Sequence, residues 1–114
     1  MISRNPMEDV DEYADAALKL YLRLPETPLR PSSNDRRTAE TLYARGISLA
    51  AIESALLLGS LRRLARQPEL PPLSPIRSLA YFLPVIEEIL FNPVPKDYLE
   101  YLRRKVELLS SKRG

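Results

Sequence analysis

At 114 residues, 45% of them apolar and 28% charged, the chain carries enough apolar material for one packed core, which excludes a disordered segment and makes a single domain over residues 1–114 the expectation. It has no cysteine and no histidine, so neither a disulfide framework nor a thiolate or imidazole metal site is available, and the usual Ser–His or Cys–His nucleophile pairs are excluded. The net charge of +2 hides an asymmetry: residues 1–20 hold five acids and two bases, so the remaining 94 carry +5, mostly as arginine, with doublets at Arg36-Arg37, Arg62-Arg63 and Arg103-Arg104.

The opening MISRNPMEDVDEY has no apolar core of the signal-peptide kind, and no stretch approaches the roughly 20 apolar residues that cross a bilayer, so the expectation is a cytoplasmic protein with no membrane association. Apolar positions recur at three and four, and no run alternates as a half-buried strand does. Helices are expected throughout.

The first helix is expected over residues 6–23. Asn5 can cap it, Pro6 suits its first position, and Glu8 can return a bond to the cap. Val10, Tyr13, Ala14, Ala17, Leu18 and Tyr21 form its apolar stripe, and Pro25 forbids helical geometry at Leu24. Three prolines between Pro25 and Pro31 then impose an extended connection. A second helix, capped by Ser33 or Asn34, carries Ala39, Leu42 and Tyr43 and ends at Gly46. Ser48 caps a third, residues 49–66, which is apolar around more than half its circumference through Leu49, Ile52, Ala55, Leu56, Leu58, Leu61 and Leu64; it should be the central helix.

Pro68, Pro71, Pro72 and Pro75 mark a second proline-rich connection, after which Ser74-Pro75 is expected to cap and open a fourth helix through Leu79, Phe82, Val85, Ile86 and Leu90. Pro84 should kink it or split it into two short helices meeting near Leu83. The last helix follows Asn92-Pro93-Val94-Pro95; Leu99, Leu102, Val106 and Leu109 give it a heptad-like seam suited to the bundle or to a partner helix, and Ser110–Gly114 is expected to fray. The fold class is therefore all-α: a bundle of about five helices with an αα-hairpin at its centre and two proline-rich connections.

The residues offer little for catalysis. Glu87-Glu88 is the one adjacent acid pair outside the first helix, and neighbours on a helix point about 100° apart rather than across a substrate. Glu8, Glu12 and Asp15 share a face, but acids in a first turn answer the positive end of the helix dipole, and the calcium-loop spacing is missing. The three glycines, Gly46, Gly59 and Gly114, are isolated and form no phosphate cradle. A non-enzymatic protein without metal or cofactor is the expectation.

Thr38-Ala-Glu-Thr-Leu-Tyr-Ala-Arg-Gly-Ile-Ser-Leu-Ala-Ala-Ile-Glu-Ser-Ala55 resembles the helix-turn-helix of bacterial DNA-binding proteins, with Leu42 on the first helix, Gly46 in the turn, and Ile47, Ile52 and Ala55 packing the second helix on the first. Ser74-Pro-Ile-Arg-Ser-Leu-Ala-Tyr-Phe-Leu-Pro-Val-Ile-Glu-Glu-Ile89 is similar to a segment in helical domains of bacterial plasmid, phage and mobile-element replication proteins. These resemblances imply an accessory of DNA replication or mobility. Ser48, Ala50, Ala51 and Ser54 cannot make bidentate base contacts, so such a module would hold DNA by its phosphates, through Arg36, Arg37, Arg62, Arg63 and Arg66.

The rival reading is a protein-interaction module without a nucleic-acid role, whose contact surface is Tyr98 and Tyr101 beside Leu99 and Leu102 on the last helix. The two readings differ in a surface property. Clustered arginines favour DNA; dispersed arginines with an apolar patch favour a protein partner.

Overall fold

The computed structural model describes residues 6–113, with side chains from residue 9 to residue 112. The cap expected at Asn5 and the carboxylate of Glu8, with the acidic triad it would complete, lie outside the described residues. Five helices, α1 (Pro6–Leu22), α2 (Ser33–Ala44), α3 (Leu49–Leu64), α4 (Leu83–Phe91) and α5 (Lys96–Arg113), and a 3-10 turn at Leu79–Phe82 make up the regular structure, and no strand occurs among the described residues. The chain is all-α. No described helix is long and apolar enough to cross a membrane.

Helix α3 is the centre, as its wide apolar face requires: α1, α4 and α5 all pack on it, and α2 packs on α1 and touches the 3-10 turn. Ile52, Ala55, Leu56 and Leu42 are buried with Tyr21, Phe82, Leu79, Ile86 and Leu102 in one continuous core. Leu99 and Leu102, candidates for a partner surface, belong to this core, so the heptad seam of α5 is used on α3. The helix continues through Arg113, so Ser110–Lys112, expected to fray, are helical.

The α2–α3 turn closes by local chemistry. The Gly46 N–H donates to Tyr43 O at 2.9 Å and the Ile47 N–H to Leu42 O at 3.2 Å, the paired bonds of a helix terminus that needs a left-handed residue; Gly46 has φ of +74°. Ile47 and Leu42 are both buried beneath it. Ser48 Oγ then accepts from the Ala51 N–H at 3.1 Å and starts α3. Tyr13 of α1 locks this corner, donating its hydroxyl to Ile47 O at 2.7 Å and meeting the Tyr43 ring edge-on.

Two boundaries differ from expectation. Helix α2 is capped by Ser32, one residue before the expected Ser33: Ser32 Oγ accepts from the Asp35 N–H, and Asp35 Oδ2 accepts from the Ser32 N–H. The larger difference is at Ser74-Pro75, which opens no helix. The chain stays irregular to Ser78, because the other oxygen of the buried Asp35 accepts from the Leu79 N–H at 2.9 Å and starts the 3-10 turn there. Helix α3 likewise ends at Leu64, two residues short of Arg66. Pro84 falls in the first turn of α4, where no intrahelical donor is lost, so two short helices meet at Leu83 as its position predicts.

Gly59 sets how closely the 3-10 turn approaches α3. A Cβ there would lie 2.8 Å from two ring carbons of Phe82, which is fully buried with the rings of Tyr21 and Tyr81 edge-on to it. Gly59→Ala gains about 1 kcal/mol of helix propensity but overpacks a rigid site at a cost of about 1–3 kcal/mol. The expected outcome is a lower thermal midpoint; an unchanged or higher one would show that Phe82 can give way.

Burial pushes the Tyr13 hydroxyl up to about 12, from an ordinary value of 10.0. With the folded pKa above the unfolded one, this contribution to stability is full below pH 10 and is lost as pH rises towards 12. Ultraviolet titration of tyrosinate should therefore show a late step near pH 12 that loses amplitude in Tyr13→Phe.

Candidate interaction surface and the placement of the arginines

Of the arginines singled out from the sequence, Arg36 and Arg37 lie on α2, whereas Arg62, Arg63 and Arg66 line one groove of about 550 Å³ with Leu70, Leu73 and Tyr81; four of the five are held by partners of this chain. Arg36 on α2 faces the acidic α1, donating from Nη1 to Asp15 at 2.8 Å and from Nη2 to Asp11 at 3.2 Å; Glu40 lies 3.8 Å away. The bonds to Asp15 and Asp11 raise its pKa. Arg62 makes a two-pronged bond to Glu88 of α4, with contacts of 2.5 and 2.8 Å, which lowers the Glu88 pKa. Arg66 donates to Pro71 O at 3.1 Å within the second proline-rich connection. Arg37 is exposed, with no ion-pair partner among the described residues.

Arg63 stands apart because it is 6% exposed. Its Nε donates to Glu26 at 3.2 Å, Nη1 to the Tyr81 hydroxyl at 3.1 Å, and Nη2 to Ser74 O at 2.7 Å. The guanidinium also lies 5.3 Å from the Tyr81 ring centroid. Burial opposes its charge, and the bonds to Tyr81 and Glu26 outweigh that, leaving the pKa above its ordinary value. The consecutive residues Arg62 and Arg63 thus go to opposite tasks, one to a surface bridge and one to the interior.

Three arginines outside that set of five are also paired: Arg45 with Glu87 at 2.6 Å, Arg103 with Glu53 through two bonds of 2.7 Å, and Arg104 with Glu100 at 3.8 Å. Glu87 and Glu88, adjacent in sequence, accept from different places, Glu87 from Arg45 just past the end of α2 and Glu88 from Arg62 of α3. Among the described residues no three carboxylates converge at metal-binding range.

Apolar side chains are exposed where α4 turns into α5, as they are at Leu29 and around Leu70, Leu73 and Tyr81. Phe91 is 93% exposed at the end of α4, and Leu90 beside it is 38% exposed. Leu90 also lines a groove of about 440 Å³ with Ala50, Ala51, Ile89, Val94 and Leu99, bordered by Ser48, Ser54, Pro93 and Lys96. Helix α3 contributes Ala50 and Ala51 to the lining, positions that a DNA-reading helix would present. Ser54 is buried and donates its hydroxyl to Ala50 O at 2.9 Å.

On α5, next to Leu99, Tyr98 and Tyr101 are 40% and 49% exposed and stack with centroids 5.4 Å apart. Tyr98 contributes to the electrostatic environment of Arg62, which places it towards the Arg62–Glu88 bridge. The sequence points to this tyrosine pair but not to Leu90, Phe91 and the groove. A signal for Phe91 does exist: counting from Ile86 and Ile89 along α4 carries the inward stripe past it.

No family model, curated protein or solved structure matches the chain.

Arg63→Lys keeps the charge but offers no planar fork to reach Glu26, Tyr81 and Ser74 together. Since Glu26 is partly open to water, we expect a loss of about 2 kcal/mol from Arg63→Ala, and most of that from Arg63→Lys, in urea unfolding. Full rescue by lysine would reduce Arg63 to a point charge.

Proposed function

We propose that this chain is a non-catalytic helical interaction module that engages a protein partner through the apolar end formed by Leu90, Phe91, Tyr98 and Tyr101. The observation that carries the reading is the exposure of Phe91, an aromatic ring almost wholly in water beside an apolar groove. Large aromatic side chains are what interaction hot spots are built from, and small residues such as Ala50 and Ala51 in the lining of the groove admit a close approach.

The use of the cations supports the same choice over backbone binding to DNA. A phosphate-binding surface needs guanidiniums that can exchange their counterions for phosphates. Arg36, Arg62 and Arg63 already have carboxylate partners, and drawing them to DNA would forfeit those pairs. Base reading has less support still, since Ser48, Ala50, Ala51 and Ser54 carry no bidentate donor and Ser54 is buried.

Two measurements separate the readings. Fluorescence anisotropy with random duplex and single-stranded DNA across a salt series should show no saturable binding at low salt, where the phosphate contribution is greatest. Pull-down from a lysate of the source cell should recover a partner with the wild-type chain and with Arg66→Gln, and lose it with Phe91→Asp. DNA affinity falling steeply with salt, together with a pull-down indifferent to Phe91→Asp, would reverse the assignment.

A further inference from the structure

We propose that the second proline-rich connection is itself a docking element: residues 71–77 are held as a polyproline II strand that presents Pro72, Pro75 and Arg77 to a partner protein whose groove is lined by aromatic rings and flanked by carboxylates. This element is separate from the Phe91 face and needs nothing from it. Its conformation follows from the sequence. Proline fixes its own φ and keeps the residue before it out of helical geometry, so between residues 70 and 75 only Leu73 escapes both restraints. The chain makes no turn or bend from residue 71 to residue 78. Two contacts report the register: Pro71 O accepts from Arg66 at 3.1 Å and Ser74 O from Arg63 at 2.7 Å, three residues apart, which is the repeat of polyproline II.

Three residues per turn give the strand three edges. Leu73 and Ile76 share the one that faces the bundle: Ile76 is buried, and Leu73 lines the groove beside Arg63 and Arg66. Pro72 and Pro75 share the second edge, and Pro71, Ser74 and Arg77 the third; all five are exposed. Anchoring one edge therefore turns the other two outward, and the two prolines and the arginine stand together on one ridge. The carbonyls of Pro72, Leu73 and Pro75 accept no bond from the described residues, which leaves them to a partner's donors.

The spacing Pro-x-x-Pro-x-Arg occurs twice in the chain, at Pro25, Pro28 and Arg30 and again at Pro72, Pro75 and Arg77. In the first copy Glu26 has a φ of +68° and the chain turns there, so no polyproline ridge forms. The second copy alone has the conformation that the spacing requires. Proline rings on such a ridge fit grooves of aromatic rings, and a strand already fixed by Arg63 and Arg66 loses little freedom on docking. Arg77 has no ion-pair partner among the described residues, and its fork selects a groove flanked by carboxylates.

The chain has no tryptophan, so the indole in a partner's groove reports binding without background. The test titrates the full chain into a panel of isolated SH3 domains, each with a tryptophan in its proline groove and an acidic pocket beside it. The wild-type chain should give a saturable change in tryptophan emission with members of the panel. Pro72→Ala combined with Pro75→Ala, and Arg77→Glu alone, should each weaken binding at least about tenfold. Arg77→Glu changes an exposed side chain, so its helical circular dichroism should match the wild type and exclude loss of fold as the cause. Pro28→Ala combined with Arg30→Glu should bind as the wild type does, and so should Phe91→Asp, which keeps this result independent of the face proposed above. No saturable change with any domain, indifference to the changes at Pro72, Pro75 and Arg77, or an equal loss from the changes at Pro28 and Arg30 would each overturn the proposal.

Discussion

The arrangement of this protein depends on one buried guanidinium. Two long connections rich in proline have few backbone donors and no helix or sheet ladder to fix them. Arg63 supplies what they lack: one fork reaches Glu26 in the first connection, Ser74 O in the second, and Tyr81 in the 3-10 turn. A single strap-to-strap backbone bond, from the Ile76 N–H to Glu26 O at 3.0 Å, runs beside it. Glu26 has a φ of +68°, a costly conformation for a residue with a side chain, and it sits at this convergence with both its carboxylate and its carbonyl engaged.

Asp35 is the counterpart on the other side of the second connection. One carboxylate oxygen closes the capping box of α2 and the other receives the first N–H of the 3-10 turn, 44 residues further along the chain, so a single buried acid starts two elements. Together the two charged residues explain why the chain enters α4 late. The segment before Leu79 is held extended by Arg63 at one end and Asp35 at the other, and a helix begun at Pro75 would release both.

What is legible in the sequence is local. Gly46 and Ser48 define a helix stop and a helix start close together, and Pro84 divides the fourth helix through its own ring; each operates without tertiary help. Ser74-Pro75 misleads because the residue that decides where the helix starts, Asp35, is distant in sequence and looks like an ordinary first-turn acid. Arg62, Arg63 and Arg66 read as one cluster when counted along the chain. They do line one groove, but helical geometry gives them different exposure: Arg63 lies four residues after Gly59 and seven after Leu56, on the buried face, whereas Arg62 lies one step round towards α4. That count needs only the sequence, and it removes Arg63 from any surface patch. The groove beside Leu90 cannot be reached this way, since it exists only where α4 and α5 both lean on α3.

The same packing explains how an apolar end arises in a chain whose other phenylalanine is buried. Gly59 lets Phe82 reach α3 closely, which fixes where α4 begins, and Pro84 in the first turn permits helix from there. Ile86 and Ile89 then take the inward positions, leaving Leu90 at the groove and Phe91 beyond it. Another turn of helix would have set Phe91 among its own i+3 and i+4 neighbours, but Pro93 and Pro95 end α4 after nine residues. Exposure of Phe91 is therefore built in by residues that themselves pack well. A substitution to a polar residue at position 91 would cost the monomer little packing, because the ring is almost wholly exposed.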